Sequence, residues 1–359
     1  MFHNLKSFQE LESRIEQLPT NQDKGDALEV FAQAYLATQR DEVEAIWEFD
    51  DIPLKIKQQL RLTDEWGIDG AYQDLQQNTC AYQVKFRSNR KSLTWSKDLS
   101  NFMGYADYAD HKVLFTNSDT LPKIMRDRKD FFCIRGNDLD RLEAQDFENI
   151  LQWLRGEKFE PKFLDPKPHQ REAIGKIIDG LQSEDRATAI MPCGTGKTLV
   201  ALSVALQLNA KKILVLVPSL ALLRQTLHVW RTQTRKMPKL AVCSDPTVQK
   251  GNNDLDNLIV EQCDLDFPVS TDSRTVSRFL GQETDATKIV FSTYQSSHVV
   301  AGGMSETDKF DFAIFDEAHK TATGRKETKF SFALDDDKLP IKKRLFMTAT
   351  PRQHQVQKK

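Results

Sequence analysis

Cysteine is scarce in this chain. Five occur in 359 residues, Cys80, Cys133, Cys193, Cys243 and Cys263. None forms a C-x-x-C pair or meets histidine at zinc-ligand spacing, which points away from structural zinc and from a disulfide framework. Long apolar runs are also missing. The amino terminus, Met1-Phe2-His3-Asn4-Leu5-Lys6-Ser7, has no apolar core of the kind that marks a leader, and no stretch is long enough to span a bilayer. A cytoplasmic protein with no membrane partner is expected. Charge of one sign is lacking too, with 50 basic against 52 acidic residues and a formal net charge of −2. Any attraction to nucleic acid must therefore come from a local basic surface. Internal repeats and low-complexity tracts are absent. What remains is an ordinary globular composition, 39% hydrophobic and 28% charged, long enough for about two or three domains.

Residues up to Gly156 alternate helix-like and strand-like segments. Residues 157–168 then bring three prolines, Pro161, Pro166 and Pro168, and proline restricts both itself and its predecessor. This segment reads as a linker between a domain over 1–156 and another over 169–359. Beyond it, Ile213–Val217, Lys288–Phe291 and Phe312–Phe315 are near-continuous apolar runs, which suit a parallel sheet covered on both faces. The stretch from Lys250 to Lys288 is more polar, with one helix expected near Arg274 to Leu280.

The densest chemical signal is Met191-Pro192-Cys193-Gly194-Thr195-Gly196-Lys197-Thr198. A strand over Ala187 to Met191 is expected to enter it, and a helix beginning near Thr198 to leave it. Gly194 and Gly196 let backbone N–H groups approach phosphate, with Thr195 between them. Lys197 reaches terminal phosphates, and Thr198 offers a hydroxyl to Mg²⁺. Met191 stands where the usual pattern has its first glycine. Further on, Asp316-Glu317-Ala318-His319 follows an apolar run, where Asp316 suits Mg²⁺ coordination and Glu317 the orientation of water. ATP with Mg²⁺ is the expected cofactor.

These motifs, with others in order, resemble the first RecA-like lobe of a superfamily 2 helicase or translocase of the DEAH type. His169-Gln170 is similar to its adenine-reading segment, Val217-Pro218-Ser219 and Phe291-Ser292-Thr293-Tyr294-Gln295-Ser296 to its DNA-contacting motifs, and Thr348-Ala349-Thr350-Pro351 to its coupling motif. The resemblance gives Gln170 and His319 to the nucleotide site and Thr348 and Thr350, expected just after a strand, to coupling; both threonines also read as strand residues with no coupling task. Gln170 also reads as an exposed helix start, and Thr293 as a strand-end residue satisfying backbone. The phrasing around Arg344–Arg352 and Phe267–Asp272 is similar to translocases of restriction enzymes, particularly single-polypeptide type ISP ones. Such motors use a second RecA-like lobe that supplies an arginine finger. Since the chain stops at Lys359, that lobe is expected from a longer polypeptide or a separate chain, and isolated hydrolysis is expected to be slow.

In the first half, Trp66-Gly67-Ile68-Asp69-Gly70 precedes Thr79-Cys80-Ala81-Tyr82-Gln83-Val84-Lys85-Phe86. Asp69 at one strand and Gln83 and Lys85 on the next can share a face by period-two alternation. Oxygen donors there suit Mg²⁺ or Mn²⁺ against a phosphodiester, and a lysine can orient water or balance charge. This resembles the PD-(D/E)xK nuclease core, specifically its Mrr-like branch, in which Gln replaces the second carboxylate. The resemblance implies metal ligation by Asp69 and Gln83, catalysis with Lys85, and a first helix over Lys24–Phe31 whose Glu29 faces the site. Glu29, three after Asp26, also suits a capping box, Asp69 a turn between glycines, and Lys85 a solvated strand position. Arg87, Arg90, Lys91 and Lys97, with Trp95 among them, read either as a phosphate-contacting surface or as a solvated basic loop.

The expected fold class is α/β, with a mixed sheet flanked by helices followed by a RecA-like parallel-sheet P-loop domain. The expected function is ATP-dependent DNA restriction, cleavage by the first domain coupled to translocation on double-stranded DNA. Methyltransferase and target-recognition domains are the implied companions. The rival expectation is a non-cleaving DNA-binding domain on a repair or remodelling translocase.

Overall fold

The computed structural model describes residues 1–63, 67–125, 128, 131–158, 163–243, 265–318 and 332–349. Trp66, Cys263, His319 and Thr350 lie outside the described residues. The chain divides into two compact units, Met1–Lys162 with Ile259–Pro268, and Phe163–Leu258 with Val269–Lys359.

In the first unit, α1 (Phe8–Glu16) and α2 (Asn21–Gln39) precede β1 (Val43–Glu48), α3 (Leu54–Leu60), β2 (Gly70–Asp74) and β3 (Thr79–Lys85). Then come α4 (Ser100–Tyr105), β4 (His111–Thr116), β5 (Phe131–Ile134), α5 (Gly136–Leu139) and α6 (Ala144–Leu154). The sheet runs β1-β2-β3-β4-β5. β1, β2 and β3 pair antiparallel, whereas β3, β4 and β5 pair parallel, so the sheet is mixed. Helix α2 starts where Thr20 and Asp23 close a capping box, the Thr20 hydroxyl accepting from the Asp23 amide at 3.0 Å. The cap is therefore not built on Asp26 and Glu29, and Glu29 sits inside the helix. Along α2, Leu28, Phe31, Ala32, Tyr35 and Leu36 are buried, the three-and-four spacing of one apolar face. Phe31 meets Phe8, Phe115 and Phe147 at centroid distances of 5.7, 6.2 and 6.3 Å. Tyr82 and Val84 of β3 enter this core, while Ala81 enters a second one with Leu99, Phe102 and Leu114. Alternation thus places Gln83 and Lys85 on the Ala81 face.

Two polar features hold this unit. Asp74 closes the β2–β3 turn, its Oδ1 accepting from the Gln76 and Asn78 amides, both at 2.8 Å. Its Oδ2 accepts from Asn78 Nδ2 at 2.8 Å. Arg40 is completely buried, over the Phe132 ring at 5.1 Å, and pairs with Glu42 at 2.7 Å. It also donates to the Asp266 carbonyl, so a segment distant in sequence belongs to this unit.

In the second unit, α7 (Pro168–Ser183) opens on proline, whose fixed φ and missing N–H suit a first turn. It is followed by β6 (Arg186–Ile190), α8 (Lys197–Gln207), β7 (Lys212–Val217), α9 (Leu220–Gln233) and β8 (Lys239–Val242). Next are β9 (Val269–Ser270), α10 (Ser273–Gly281), β10 (Lys288–Thr293), α11 (Ser297–Gly302), β11 (Phe310–Phe315) and β12 (Ile341–Thr348). Among the described residues the sheet has seven strands in the order β6-β12-β11-β7-β10-β8-β9, all parallel. Residues 213–217 of β7 are at most 1% exposed, because helices cover both faces. Thr348 corrects one expectation: it is the last residue of β12, not a residue beyond a strand, because its backbone still pairs with Ile190 of β6. In a parallel sheet the loops after β6, β7, β10 and β11 leave one common edge, where ligands of such folds bind. No described helix is long and apolar enough to cross a membrane.

Candidate nucleotide and metal sites

The loop after β6 is built around its two glycines. Gly194 and Gly196 have φ of 76° and 83°, in the left-handed region that side chains avoid. A Cβ on Gly196 would also lie 2.2 Å from Gln170 Nε2, so only glycine fits. Met191, at the position where a first glycine is usual, needs no such freedom. Its φ is not positive, its side chain is 8% exposed, and its N–H donates to the Thr348 carbonyl at 2.9 Å. The departure from the pattern is thus an apolar residue packed beneath the loop and tied to β12.

Gln170 is buried and braces the loop, donating from Nε2 to the Thr195 carbonyl and accepting at Oε1 from the Lys167 amide, both at 2.8 Å. A primary amide has a further hydrogen and lone pair with which to read a base edge. The exposed helix start is excluded by its burial. The Thr195 hydroxyl donates to the Pro192 carbonyl at 2.7 Å. Trp230, fully buried, donates from Nε1 to the Thr198 carbonyl at 3.3 Å and so ties α9 to the first turn of α8.

Lys197 Nζ lies 2.9 Å from Glu317 Oε1. Asp316 follows β11, with its N–H donating to the Leu216 carbonyl at 2.9 Å and its Oδ1 accepting from the Glu317 N–H at 3.0 Å. Burial, with the neighbouring Glu317 charge, raises the Asp316 carboxyl above its usual range against the opposing pull of Lys197 and the Glu317 N–H. A cation near Asp316 would relieve that penalty. Thr293, the last residue of β10, is buried and its hydroxyl pairs with the Ser296 hydroxyl at 2.9 Å, a side chain rather than backbone. Ser219 caps α9, accepting from the Leu222 amide at 3.4 Å.

In the first unit, Asp69 precedes β2 by one residue, yet its backbone belongs to the ladder. Its N–H donates to the Tyr82 carbonyl at 3.0 Å, and its carbonyl accepts from the Phe49 amide at 3.1 Å. The register that pairs Gly70 with Tyr82 puts Asp69 across from Gln83. Asp69 Oδ2 accepts from the Val84 amide at 2.6 Å, so the carboxylate is fixed by the strand and the free-turn reading is excluded. Gln83 is 2% exposed, and its Oε1 has no hydrogen-bond partner among the described residues. Such an orphan costs about 1 to 3 kcal/mol and needs an explanation. Glu29 is half-buried, and burial first, then Asp69 and Asp26, push its carboxyl up to about 7, while Lys85 pulls the other way. Glu29, Asp69 and Lys85 therefore form one electrostatic cluster. An oxygen-seeking cation fits this set, because it would take the Gln83 oxygen and relieve the carboxylate repulsion. Among the described residues, no three His, Cys, Asp or Glu side chains are gathered so as to hold a metal ion.

The basic segment is not a free cationic surface. Arg87 pairs with Asp98, and Arg90 with Glu12 at 2.5 Å and Asp140 at 2.7 Å. These carboxylates neutralise both guanidinium groups, leaving Lys91 and Lys97 as the exposed cations of that stretch. Trp95 carries Arg128 over its ring at 5.0 Å. Motif reading gave no individual contact to Tyr294 or Trp230, whose side chains hydrogen-bond the Asp316 and Thr198 carbonyls.

A seven-stranded parallel sheet with this loop and these carboxylates at one edge defines a RecA-like lobe of the superfamily 2 helicase type. The chain belongs to the family described as type III restriction enzyme, res subunit, whose sequence pattern matches residues 163–353. It is 34% identical over 195 residues to the probable helicase A859L of African swine fever virus (isolate Pig/Kenya/KEN-50/1950), covering 53% of this chain and 20% of that protein. Its fold is similar to the ATP-dependent type ISP restriction-modification enzyme LlaBIII bound to DNA, with a TM-score of 0.78 at 23% identity over 97% of this chain and 22% of that one. A nuclease-deletion mutant of the type ISP enzyme LlaGI in complex with a DNA substrate mimic is 31% identical over 53% of this chain and 18% of that one, with a TM-score of 0.42. The chain therefore spans about a fifth of the length of these relatives.

Proposed function

We propose that the chain combines a metal-dependent DNA nuclease of the PD-(D/E)xK type with the first lobe of an ATP-dependent motor, and that it serves restriction of double-stranded DNA. The observation that carries the motor half is the loop of Gly194 and Gly196 with Lys197 set 2.9 Å from Glu317 at the carboxyl edge of the sheet. Backbone N–H groups and Lys197 neutralise phosphate charge, Glu317 orients the attacking water, and Gln170 reads the base. Thr198 and Asp316 would hold Mg²⁺, which would supply positive charge against the phosphates. Thr348, bonded to the loop through Met191, relays its state to β12. The functions of His319 and Thr350 follow from the motif resemblance alone. A second RecA-like lobe, with methyltransferase and target-recognition domains, completes the enzyme in this reading.

The nuclease half is supported by the orphaned Gln83 oxygen beside Asp69 and by the coupling of Glu29 to Asp69 and Lys85. Asp69 and Gln83 would hold Mg²⁺ or Mn²⁺, which supplies charge stabilisation at the scissile phosphate. Lys85 orients water or balances developing charge, and Glu29 faces the site from α2. One observation favours the rival of a non-cleaving DNA-binding domain: the residue across from Asp69 is the neutral Gln83, where a carboxylate would add charge for a metal. Cleavage assays of plasmid DNA with each metal decide. Wild-type protein should cut or nick, and Asp69→Ala or Lys85→Ala should abolish it. Equal cutting by all three places the activity elsewhere, and no cutting by any under all conditions supports the DNA-binding rival.

A further inference from the structure

Glu317 adopts a φ of 49°, a left-handed conformation uncommon for a residue with a side chain. The peptide group that sets this angle joins Asp316 to Glu317. Its carbonyl, on Asp316, accepts a hydrogen bond from the Tyr294 hydroxyl at 2.8 Å. On the other side of Asp316, the N–H donates to the Leu216 carbonyl of β7 at 2.9 Å. The two bonds clamp the residue from the turn after β10 and from β7, and the resulting turn aims Glu317 at Lys197. Tyr294 is itself immobilised. It is fully buried, packs 6.3 Å from Phe315, and follows the Thr293 whose hydroxyl is paired with Ser296. A phenylalanine would fill the same space, so packing alone does not require the hydroxyl.

We propose that Tyr294 is the positioning residue of the nucleotide site: its hydroxyl holds the Asp316–Glu317 peptide in the left-handed turn that directs Glu317. This rests on the nucleotide reading of the loop and deepens it. The hydroxyl transfers nothing and touches no phosphate. Because Tyr294 opens the turn directly after β10, a displacement of that turn is passed to Glu317 through a single hydrogen bond. The segment similar to a DNA-contacting motif is thereby connected to the water-orienting carboxylate.

Tyr294→Phe tests this on the whole chain with two readouts. Residue-resolved hydrogen exchange should show the Glu317 amide exchanging about tenfold faster, with amides of β7 and β10 unchanged. Single-turnover hydrolysis at saturating MgATP should fall about tenfold with the MgATP dissociation constant unchanged, and the same substitution in a Glu317→Gln background should cost nothing more. Unchanged exchange at Glu317 overturns the positioning role. Faster exchange with unaltered turnover, or losses that multiply in the double variant, overturns its service to Glu317. Absence of MgATP binding by the wild type would instead defeat the nucleotide reading, while the exchange result would still judge the clamp.

Discussion

Lys197 and Glu317 face each other 2.9 Å apart, but removing their charges should have different effects. Glu317→Gln leaves the loop and its lysine in place, so MgATP affinity in calorimetry should stay within about twofold while hydrolysis falls by about 10² or more. Loss of both together would mean that Glu317 shapes the binding site instead of the reaction. Gln83 offers the complementary test in the other unit. Gln83→Glu adds a buried carboxylate beside Asp69 and Glu29, which should lower metal-free stability by about 1 to 3 kcal/mol and make it recoverable with Mn²⁺. Thermal melts with and without the metal report this, and a variant that Mn²⁺ does not rescue contradicts ligation at Gln83. Residue identity made the loop, Asp316 and Asp69 legible, because each chemistry demands a narrow choice of side chain at fixed spacing. Tyr294 and Trp230 were not legible, since their contacts are to carbonyls that a sequence does not locate. Arg87 and Arg90 read as basic because their partners, Glu12, Asp98 and Asp140, are assembled only by the fold.

At the level of elements, the central strands of the second unit were readable as unbroken apolar runs, because β7, β10 and β11 are buried on both faces. Edge strands are different. β9 is two residues long and carries no such signature, whereas β6, observed at Arg186–Ile190, was expected over Ala187 to Met191 from its place before the glycine loop. The placement of Leu265–Pro268 with the first unit has no local signal at all, since it depends on the buried Arg40. The β2–β3 turn gives a prediction at this scale. Burial raises the Asp74 carboxyl to about 6, against its hydrogen bonds from Asn78 and Gln76. Its pKa is thus higher folded than unfolded, so the proton favours the folded state. That stabilisation is full below the unfolded value of 3.8 and is lost as pH rises through about 6. Asp74→Asn keeps an oxygen for both backbone amides, with the Asn78 amide flipping to accept. It should remove about 2 to 3 kcal/mol of pH dependence between pH 4 and 6.5. Urea unfolding of the two proteins across that range measures it, and parallel curves would contradict the assignment.

For the molecule as a whole, two units with different sheets carry two separate candidate sites. One is a mixed sheet whose Asp69 and Gln83 stand across from each other, and the other a parallel sheet with its phosphate loop at the carboxyl edge. Changes to one site should therefore leave the other intact, which distinguishes loss of function from loss of folding. The family membership of residues 163–353 and the geometry of the loop both rest on the second unit, and so does the proposed nucleotide site. The most direct test is calorimetric titration of ATP into the whole 359-residue chain, its Lys197→Ala variant and its Asp69→Ala variant. Saturable binding at one site that requires Mg²⁺, weakened about tenfold or more by Lys197→Ala and unchanged by Asp69→Ala, is the predicted result. Binding that is indifferent to Lys197, or no binding with or without Mg²⁺, would contradict it.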